Sequence, residues 1–93
     1  MRKNGYHALE VRNMGVKDAV AKRFESICRE RRMTINELAS RSGVTPSSVY
    51  SMKDPARRNI SIVLIKKLCD GLDLPLNEFF TGPEFDSLEQ EIR

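Results

Sequence analysis

The sequence predicts an all-α fold: a compact domain of five helices at residues 16–80, between a short N-terminal extension at 1–15 and an acidic amphipathic C-terminal tail at 81–93. Two observations predict it. Apolar residues recur at spacings of three and four, which is the period of a helix and not of a strand. Residues suited to helix N-caps precede these segments at Thr34, Thr45 and Ser61. Ninety-three residues, 40% of them hydrophobic, suffice for one domain with one core.

The first helix is predicted at residues 16–32. Its apolar stripe is Val16, Val20, Phe24 and Ile27. Three cations crowd its last turn: Arg29, Arg31 and Arg32. Cations there interact favourably with the helix dipole, and the same side chains are also placed to contact a phosphate, so both interpretations stay open.

Two short helices follow around a glycine turn. Thr34 and Glu37 have the spacing of a capping box, which predicts a helix start. Gly43 marks the end of that helix, because glycine adopts a positive φ without steric cost. Thr45 then supplies an N-cap, and Pro46 suits the first helical position of the next helix, at 45–52.

The helix at 45–52 has two unlike faces. Its inward face is predicted to be Thr45, Ser48, Val49 and Met52. The outward face is polar with one aromatic residue and suits the floor of a DNA major groove. We therefore predict that it contacts bases through Pro46, Ser47, Tyr50 and Ser51.

This region resembles the helix-turn-helix of phage Cro/repressor-type regulators, the XRE family. The residues that carry the resemblance are Leu38-Ala39, Gly43-Val44, Thr45, Val49 and the stretch LCDGLDLPLNEFF at 68–80. It covers roughly residues 17–80 and implies a Cro/repressor-type five-helix domain that binds double-stranded DNA. The implied function is a sequence-specific transcriptional regulator, acting as a repressor.

The resemblance also implies where the DNA backbone is held. The family contacts phosphates at the start of its second helix and with the loop after the recognition helix. The matching residues here are Thr34 at that helix start and Lys53, Arg57, Arg58 and Asn59 in the loop. We also predict a phosphate contact at Thr45, the N-cap of the recognition helix. Helix-terminal amides and flexible cations are both suited to that contact. The basic residues Arg2, Lys3 and Arg12 of the N-terminal extension could contact phosphate, as basic arms do in other DNA-binding proteins. A terminus that is flexible or packed against a partner is the alternative that we favour.

The last two helices complete the predicted core. The fourth is expected at 60–72, with a buried stripe of Ile62, Ile65, Leu68, Cys69 and Leu72. Asp73 follows it where the family often has glycine, and aspartate tolerates the left-handed conformation. Pro75 suits the first turn of a fifth helix containing Leu76, Phe79 and Phe80.

The tail places Phe85, Leu88 and Ile92 at helical spacing among acidic residues. A stretch this short is unstable alone and needs a surface, either on its own domain or on a second subunit. We favour the second subunit, hence a homodimer, because helix-turn-helix proteins gain affinity from paired half-sites.

Charge is distributed unevenly along the chain. The net charge of +3 combines +9 over residues 1–67 with −6 over residues 68–93. A basic body with an acidic tail favours binding of a polyanion by one part of the chain. A protein-interaction module, such as an antitoxin-like or adaptor protein using the tail, is the alternative. RNA binding is less favoured, because no array of exposed aromatic residues is evident.

Other function classes find little support. His7 is the only histidine, and no Gly-rich phosphate loop or nucleophile–base pattern is present. We expect no enzyme, metal, cofactor or small-molecule ligand. No membrane span or signal-peptide pattern is evident, so a cytoplasmic protein is expected. Cys28 and Cys69 are predicted to be core thiols.

Overall fold

Residues 14–92 are described by the computed structural model, in which they form five α-helices and two short 3₁₀ helices. The α-helices are α1 (Val16–Glu30), α2 (Ile35–Ser42), α3 (Pro46–Tyr50), α4 (Ile62–Gly71) and α5 (Leu76–Phe79). The 3₁₀ helices are Ser51–Lys53, which continues α3, and Pro83–Phe85. The all-α, five-helix prediction is confirmed. Most of the N-terminal extension predicted at 1–15, including Arg2, Lys3 and Arg12, lies outside the described residues.

Helix α1 buries the predicted stripe from its second turn onward. Val20, Phe24 and Ile27 are buried, whereas Val16 is 38% exposed. The helix ends at Glu30, two residues before the predicted end, because Arg32 adopts a positive φ of 55°. The guanidinium of Arg31 donates to the Leu72 carbonyl oxygen at 2.5 Å. Arg31 therefore satisfies an orphan carbonyl at the end of α4.

The core lies where α1, α2, α4 and α5 meet. Phe24 of α1 and Phe79 of α5 are fully buried, with ring centroids 4.4 Å apart. Leu38 of α2 and Leu68 of α4 are also fully buried. Each such side chain contributes roughly 1.5–3 kcal/mol by leaving water. This packing forms the apolar surface against which the short helix α3 packs.

Helix α4 begins two residues later than predicted. The Ser61 hydroxyl accepts from the backbone N–H groups of Val63 and Leu64, at 3.0 and 3.3 Å, so Ser61 is the N-cap. The predicted stripe is wrong at Ile62, which is 59% exposed, as is its neighbour Val63 at 58%. Ile62 is the first residue of the helix, where its side chain precedes the turns that contact the core.

The C-terminal segment divides after Phe85. The Phe85 ring packs against Phe79 and Phe80, with centroids 5.7 and 5.0 Å away, so its own domain covers it. A turn at 86–87 follows, and Leu88 forms a parallel bridge with Met14. Phe85, Leu88 and Ile92 therefore do not share the helical face that their spacing predicted.

Candidate nucleic-acid interface

The turn between α2 and α3 follows the local signals in the sequence. Gly43 has φ +70°, in the left-handed region, and ends α2. The Thr45 hydroxyl accepts from the backbone N–H of Ser48 at 3.3 Å, and Pro46 opens α3. This geometry turns the chain sharply between two helices and confirms the predicted glycine break, cap and proline start.

Helix α3 is anchored on one face. Val49 and Met52 are buried, at 2% and 3% exposure. Pro46, Ser47 and Tyr50 are exposed, and 53% of the Tyr50 surface is accessible. The helix is thus held by its apolar face and presents three of the four predicted outward residues to solvent. Thr45, which was predicted to face inward, is exposed as well.

The hydroxyl groups of α3 form local hydrogen bonds. The Thr45 oxygen lies 3.1 Å from the Ser47 oxygen and 2.9 Å from that of Ser48. The Ser51 hydroxyl donates to the Ser48 carbonyl at 2.6 Å. Ser51 is half-buried and directed back onto its own helix, so among the four predicted base-contacting residues it is the least available as a donor.

The loop after α3 is hydrogen-bonded to α1. Lys17 donates from Nζ to the Asp54 carbonyl oxygen at 2.6 Å. The Asp54 carboxylate accepts from the backbone N–H of Ala56 at 2.9 Å, and the backbone N–H of Arg57 donates to the Asp54 carbonyl at 3.0 Å. These bonds hold a tight turn at 54–57, which positions the exposed cations Arg57 and Arg58.

The predicted phosphate-binding cations differ in their surroundings. Lys53 is ion-paired with Glu25 of α1, whose hydrogen bond and charge raise the pKa of Lys53 above its ordinary value. Arg57 Nε lies 3.8 Å from the Asp54 carboxylate, and Arg58 has no ion pair with any described residue. Arg57 and Arg58 also line an open cavity of about 230 Å³ with Lys17.

Thr34 lies in the predicted capping box, which is confirmed. Its hydroxyl accepts from the Glu37 backbone N–H at 3.0 Å, and its own backbone N–H donates to the Glu37 carboxylate at 2.8 Å. Thr34 is exposed, but its backbone N–H already has a partner. Its hydroxyl hydrogen remains the group suited to an anion.

A groove between α3 and α4 brings several predicted site residues together. It has a volume of about 480 Å³ and is lined on one side by Ser47 and Ser51. Arg57 and Asn59 also line it, as does Lys67 of α4. Tyr50 and Lys53 instead line a small cavity with Glu25, next to α1. Helix α3 therefore has the larger groove, with its cations Arg57 and Lys67, on one side and the small cavity next to α1 on the other.

Three residues at this interface were not found from sequence: Lys17, Glu25 and Lys67. Each of these side chains lies next to residues of an element that is distant in sequence. Helical spacing indicates only that the three positions lie off the buried stripe. Their roles follow from how α1 and α4 are placed beside α3, which local sequence patterns do not specify.

The thiols and the possible metal ligands can be placed as well. Cys28 and Cys69 are buried free thiols, as predicted, and burial raises the pKa of both. Within residues 14–92 there is no group of three or more His, Cys, Asp or Glu side chains suited to a metal ion. No helix in that range is both long and apolar enough to cross a bilayer.

Comparison with known proteins agrees with this geometry. The model of the Cro/C1-type HTH DNA-binding domain family matches residues 23–83, more than half of the chain. Comparisons with curated proteins and with solved structures gave no match. The matched range contains the glycine turn, α3 and the loop of cations described above. The chain therefore belongs to the Cro/C1-type helix-turn-helix DNA-binding domain family.

Proposed function

We propose that this protein is a sequence-specific transcriptional repressor that reads the major groove of double-stranded DNA with the helical segment at 45–52. The observation that carries the proposal is the exposed face of α3, where Pro46, Ser47 and Tyr50 stand clear of the core and Ser47 lines a groove with Arg57. A short helix anchored by its apolar face can enter a major groove, which admits one α-helix.

Affinity comes chiefly from phosphate contacts. Arg57 and Arg58 are exposed on a loop that is itself fastened to α1, so their backbone positions are preorganised. Asn59 and the hydroxyls of Thr34 and Thr45 add neutral donors around the helix. Each cation that neutralises a phosphate releases condensed counterions, so binding weakens as salt increases.

Selectivity comes from the α3 face and is modest. Serine hydroxyls accept and donate, so Ser47 tolerates several base edges, and the aromatic face of Tyr50 suits a thymine methyl. Pro46 adds only apolar contact, and Ser51 is directed to the Ser48 carbonyl. None of these residues makes the bidentate contacts of Arg, Asn or Gln, so water and DNA shape supply part of the specificity.

The functional unit is a homodimer that acts in the cytoplasm. Two copies bind two half-sites and thereby raise affinity for paired operators. Of the three tail residues predicted to form the dimer interface, Leu88 and Ile92, which are 37% and 81% exposed, remain accessible to a second subunit. Phe85 contributes indirectly, because it anchors the start of the tail on its own domain. Repression follows if the bound dimer blocks access to a promoter.

The test is binding of a labelled mixed-sequence duplex at several salt concentrations. We expect a steep loss of affinity with salt and a slope shallower by about 2 in the Arg57→Ala/Arg58→Ala variant. Lys22→Ala/Lys66→Ala removes the same charge from exposed positions that line neither cavity at the loop, and it should keep the wild-type slope. Absence of binding at low salt would reject the DNA function.

Operator selection then tests the reading face. Tyr50→Ala should change the ranking of selected duplexes, whereas Arg58→Ala should weaken all of them about equally. An unchanged ranking with Tyr50→Ala would remove Tyr50 from base reading.

A Leu88→Ser/Ile92→Ser variant tests the dimer by sedimentation. Loss of self-association together with weaker operator binding supports the dimeric repressor. Unchanged self-association would reject these two side chains as its interface.

A further inference from the structure

Lys67 of α4 lies beside α3, although no sequence pattern predicted a role for it. It lines the groove of about 480 Å³ that also contacts Ser47, Ser51 and Asn59. The groove therefore joins the base-contacting face of α3 to a helix outside the helix-turn-helix itself. A side chain on its far wall can reach a ligand that α3 and the loop hold.

The lining of the groove has the chemistry of an anion site. Arg57 and Lys67 are its two cations, and none of the residues that line it in the described part of the chain is an aspartate or glutamate. Asn59 and several hydroxyls add neutral donors: Ser47, Ser48 and Ser61. The Ser51 hydroxyl also lines the groove but already donates to the Ser48 carbonyl. Charge-assisted hydrogen bonds to phosphate oxygens are the interactions that such a donor set provides.

The neighbouring lysine provides a contrast within one helix. Lys66 is ion-paired with Asp70 one turn along α4 and does not line the groove. Lys67 is exposed and has no ion pair with any described residue. Of two adjacent lysines, one is therefore neutralised by its own helix, and the other is left to balance an external negative charge.

We propose that Lys67 is a phosphate-binding residue, and that the groove between α3 and α4 holds a phosphodiester of the DNA backbone between Lys67 and Arg57. The contact with DNA then extends from the loop onto α4. This inference rests on the proposed function and adds a backbone contact outside the helix-turn-helix. A phosphate bound between Lys67 and Arg57 fixes the angle at which α3 enters the major groove of the DNA.

The experiment measures duplex binding at several salt concentrations for the full chain, Lys67→Ala, Lys67→Arg and Lys66→Ala. We expect Lys67→Ala to weaken all sequences by about three- to tenfold and to reduce the salt slope by about 1. Lys67→Arg should restore the slope, and Lys66→Ala should match the full chain. Circular dichroism verifies that each variant is folded.

Replacing chloride by inorganic phosphate at constant ionic strength should weaken DNA binding more for the full chain than for Lys67→Ala, because the free anion competes for the same groove. Two results would overturn the proposal. Lys67→Ala could keep the full affinity and slope, or Lys66→Ala could lose as much as Lys67→Ala, which would indicate a general field effect. If the full chain binds no duplex, the proposed function fails as well, whereas a normal full chain with an unaltered Lys67→Ala rejects the groove alone.

Discussion

The carboxylate of Glu25 on α1 is ion-paired with the ammonium of Lys53. Lys53 is the last residue of the 3₁₀ helix that follows α3. Glu25 is the less exposed partner, with 31% of its side chain accessible against 59% for Lys53. The hydrogen bond and charge of Glu25 raise the pKa of Lys53. A cation proposed to bind phosphate thus already has a negative partner within the protein.

We expect Glu25→Gln to increase affinity for duplex DNA, because the glutamine keeps the size of the side chain and removes the charge that competes with phosphate for Lys53. The gain should be about two- to fivefold at low salt, with a salt slope steeper by up to about 1. Filter binding or fluorescence anisotropy across a salt series measures both quantities.

The matched control for this change is Glu30→Gln, an exposed position on the last turn of the same helix. Glu30 has no ion pair with any described residue, so its substitution reports the general effect of one charge. The gain from Glu25→Gln should also vanish when Lys53 is alanine. Equal gains from the two glutamine variants would show that Glu25 does not act through Lys53.

Arg23 joins α1 to the end of α5. Its Nε donates to the Phe79 carbonyl at 2.7 Å, a second guanidinium nitrogen donates to that of Glu78 at 3.1 Å, and the group lies 5.8 Å from the Phe79 ring centroid. We expect Arg23→Ala to lower the free energy of unfolding by about 1.5–3 kcal/mol, since two carbonyls lose a charged donor.

Urea denaturation followed by circular dichroism measures that loss. Arg23→Lys should recover part of it, because an ammonium reaches one carbonyl but lacks the planar pair of donors. Lys22→Ala, an exposed neighbour on α1, should change stability by less than about 0.5 kcal/mol. A loss in Lys22→Ala equal to that in Arg23→Ala would attribute the effect to helix α1 rather than to its contact with α5.

Local chemistry explains which parts of this fold could be predicted from sequence. Thr34 with Glu37, Thr45 with Pro46, and Ser61 each determine a helix start through bonds that span at most three residues. Gly43 ends α2 by its own backbone preference. Such signals require no knowledge of tertiary structure, so the starts of α2 and α3, the end of α2 and the cap at Ser61 followed from them.

The remaining features depend on residues distant in sequence. Arg23 meets the Phe79 carbonyl across 56 positions, and Lys17 meets that of Asp54 across 37. Periodicity also placed Ile62 on a buried stripe, but the N-cap at Ser61 leaves it on the first turn, beyond the reach of the core. The helical prediction for the tail was wrong for a similar reason, because Leu88 pairs with Met14, a residue far away in sequence.

Gly71 allows the C-terminal ends of α2 and α4 to approach closely. A Cβ built there would lie 2.2 Å from the Ser42 hydroxyl oxygen and 3.2 Å from the backbone of Arg41 and Ser42. We expect Gly71→Ala to lower the free energy of unfolding by about 1–3 kcal/mol through overpacking, despite the better helix propensity of alanine. Thermal and urea denaturation measure the change.

Ser42→Ala provides the companion test at the same contact. The Ser42 hydroxyl is buried without a hydrogen-bond partner among the described residues, so its removal should stabilise the fold by about 1 kcal/mol. The double variant should recover part of the loss from Gly71→Ala, since the nearest clashing atom is gone. Strict additivity of the two single changes would contradict a direct contact.

The two buried thiols should be protected from modification and should make stability fall at alkaline pH. Burial raises the pKa of Cys28 and Cys69 above the ordinary thiol value of 9.0, so the folded chain keeps its thiol protons at a pH where the unfolded chain loses them. The unfolded state then binds fewer protons, and the free energy of unfolding decreases as pH rises through and above 9. Labelling by a thiol reagent should be slow in native buffer and fast in urea, because the thiolate is the reactive form.

Cys28→Ala/Cys69→Ala should show a shallower alkaline loss of stability than the parent chain, measured by urea denaturation between pH 8 and about 10. Rapid native labelling, or an identical alkaline slope in the two proteins, would contradict this account of the thiols.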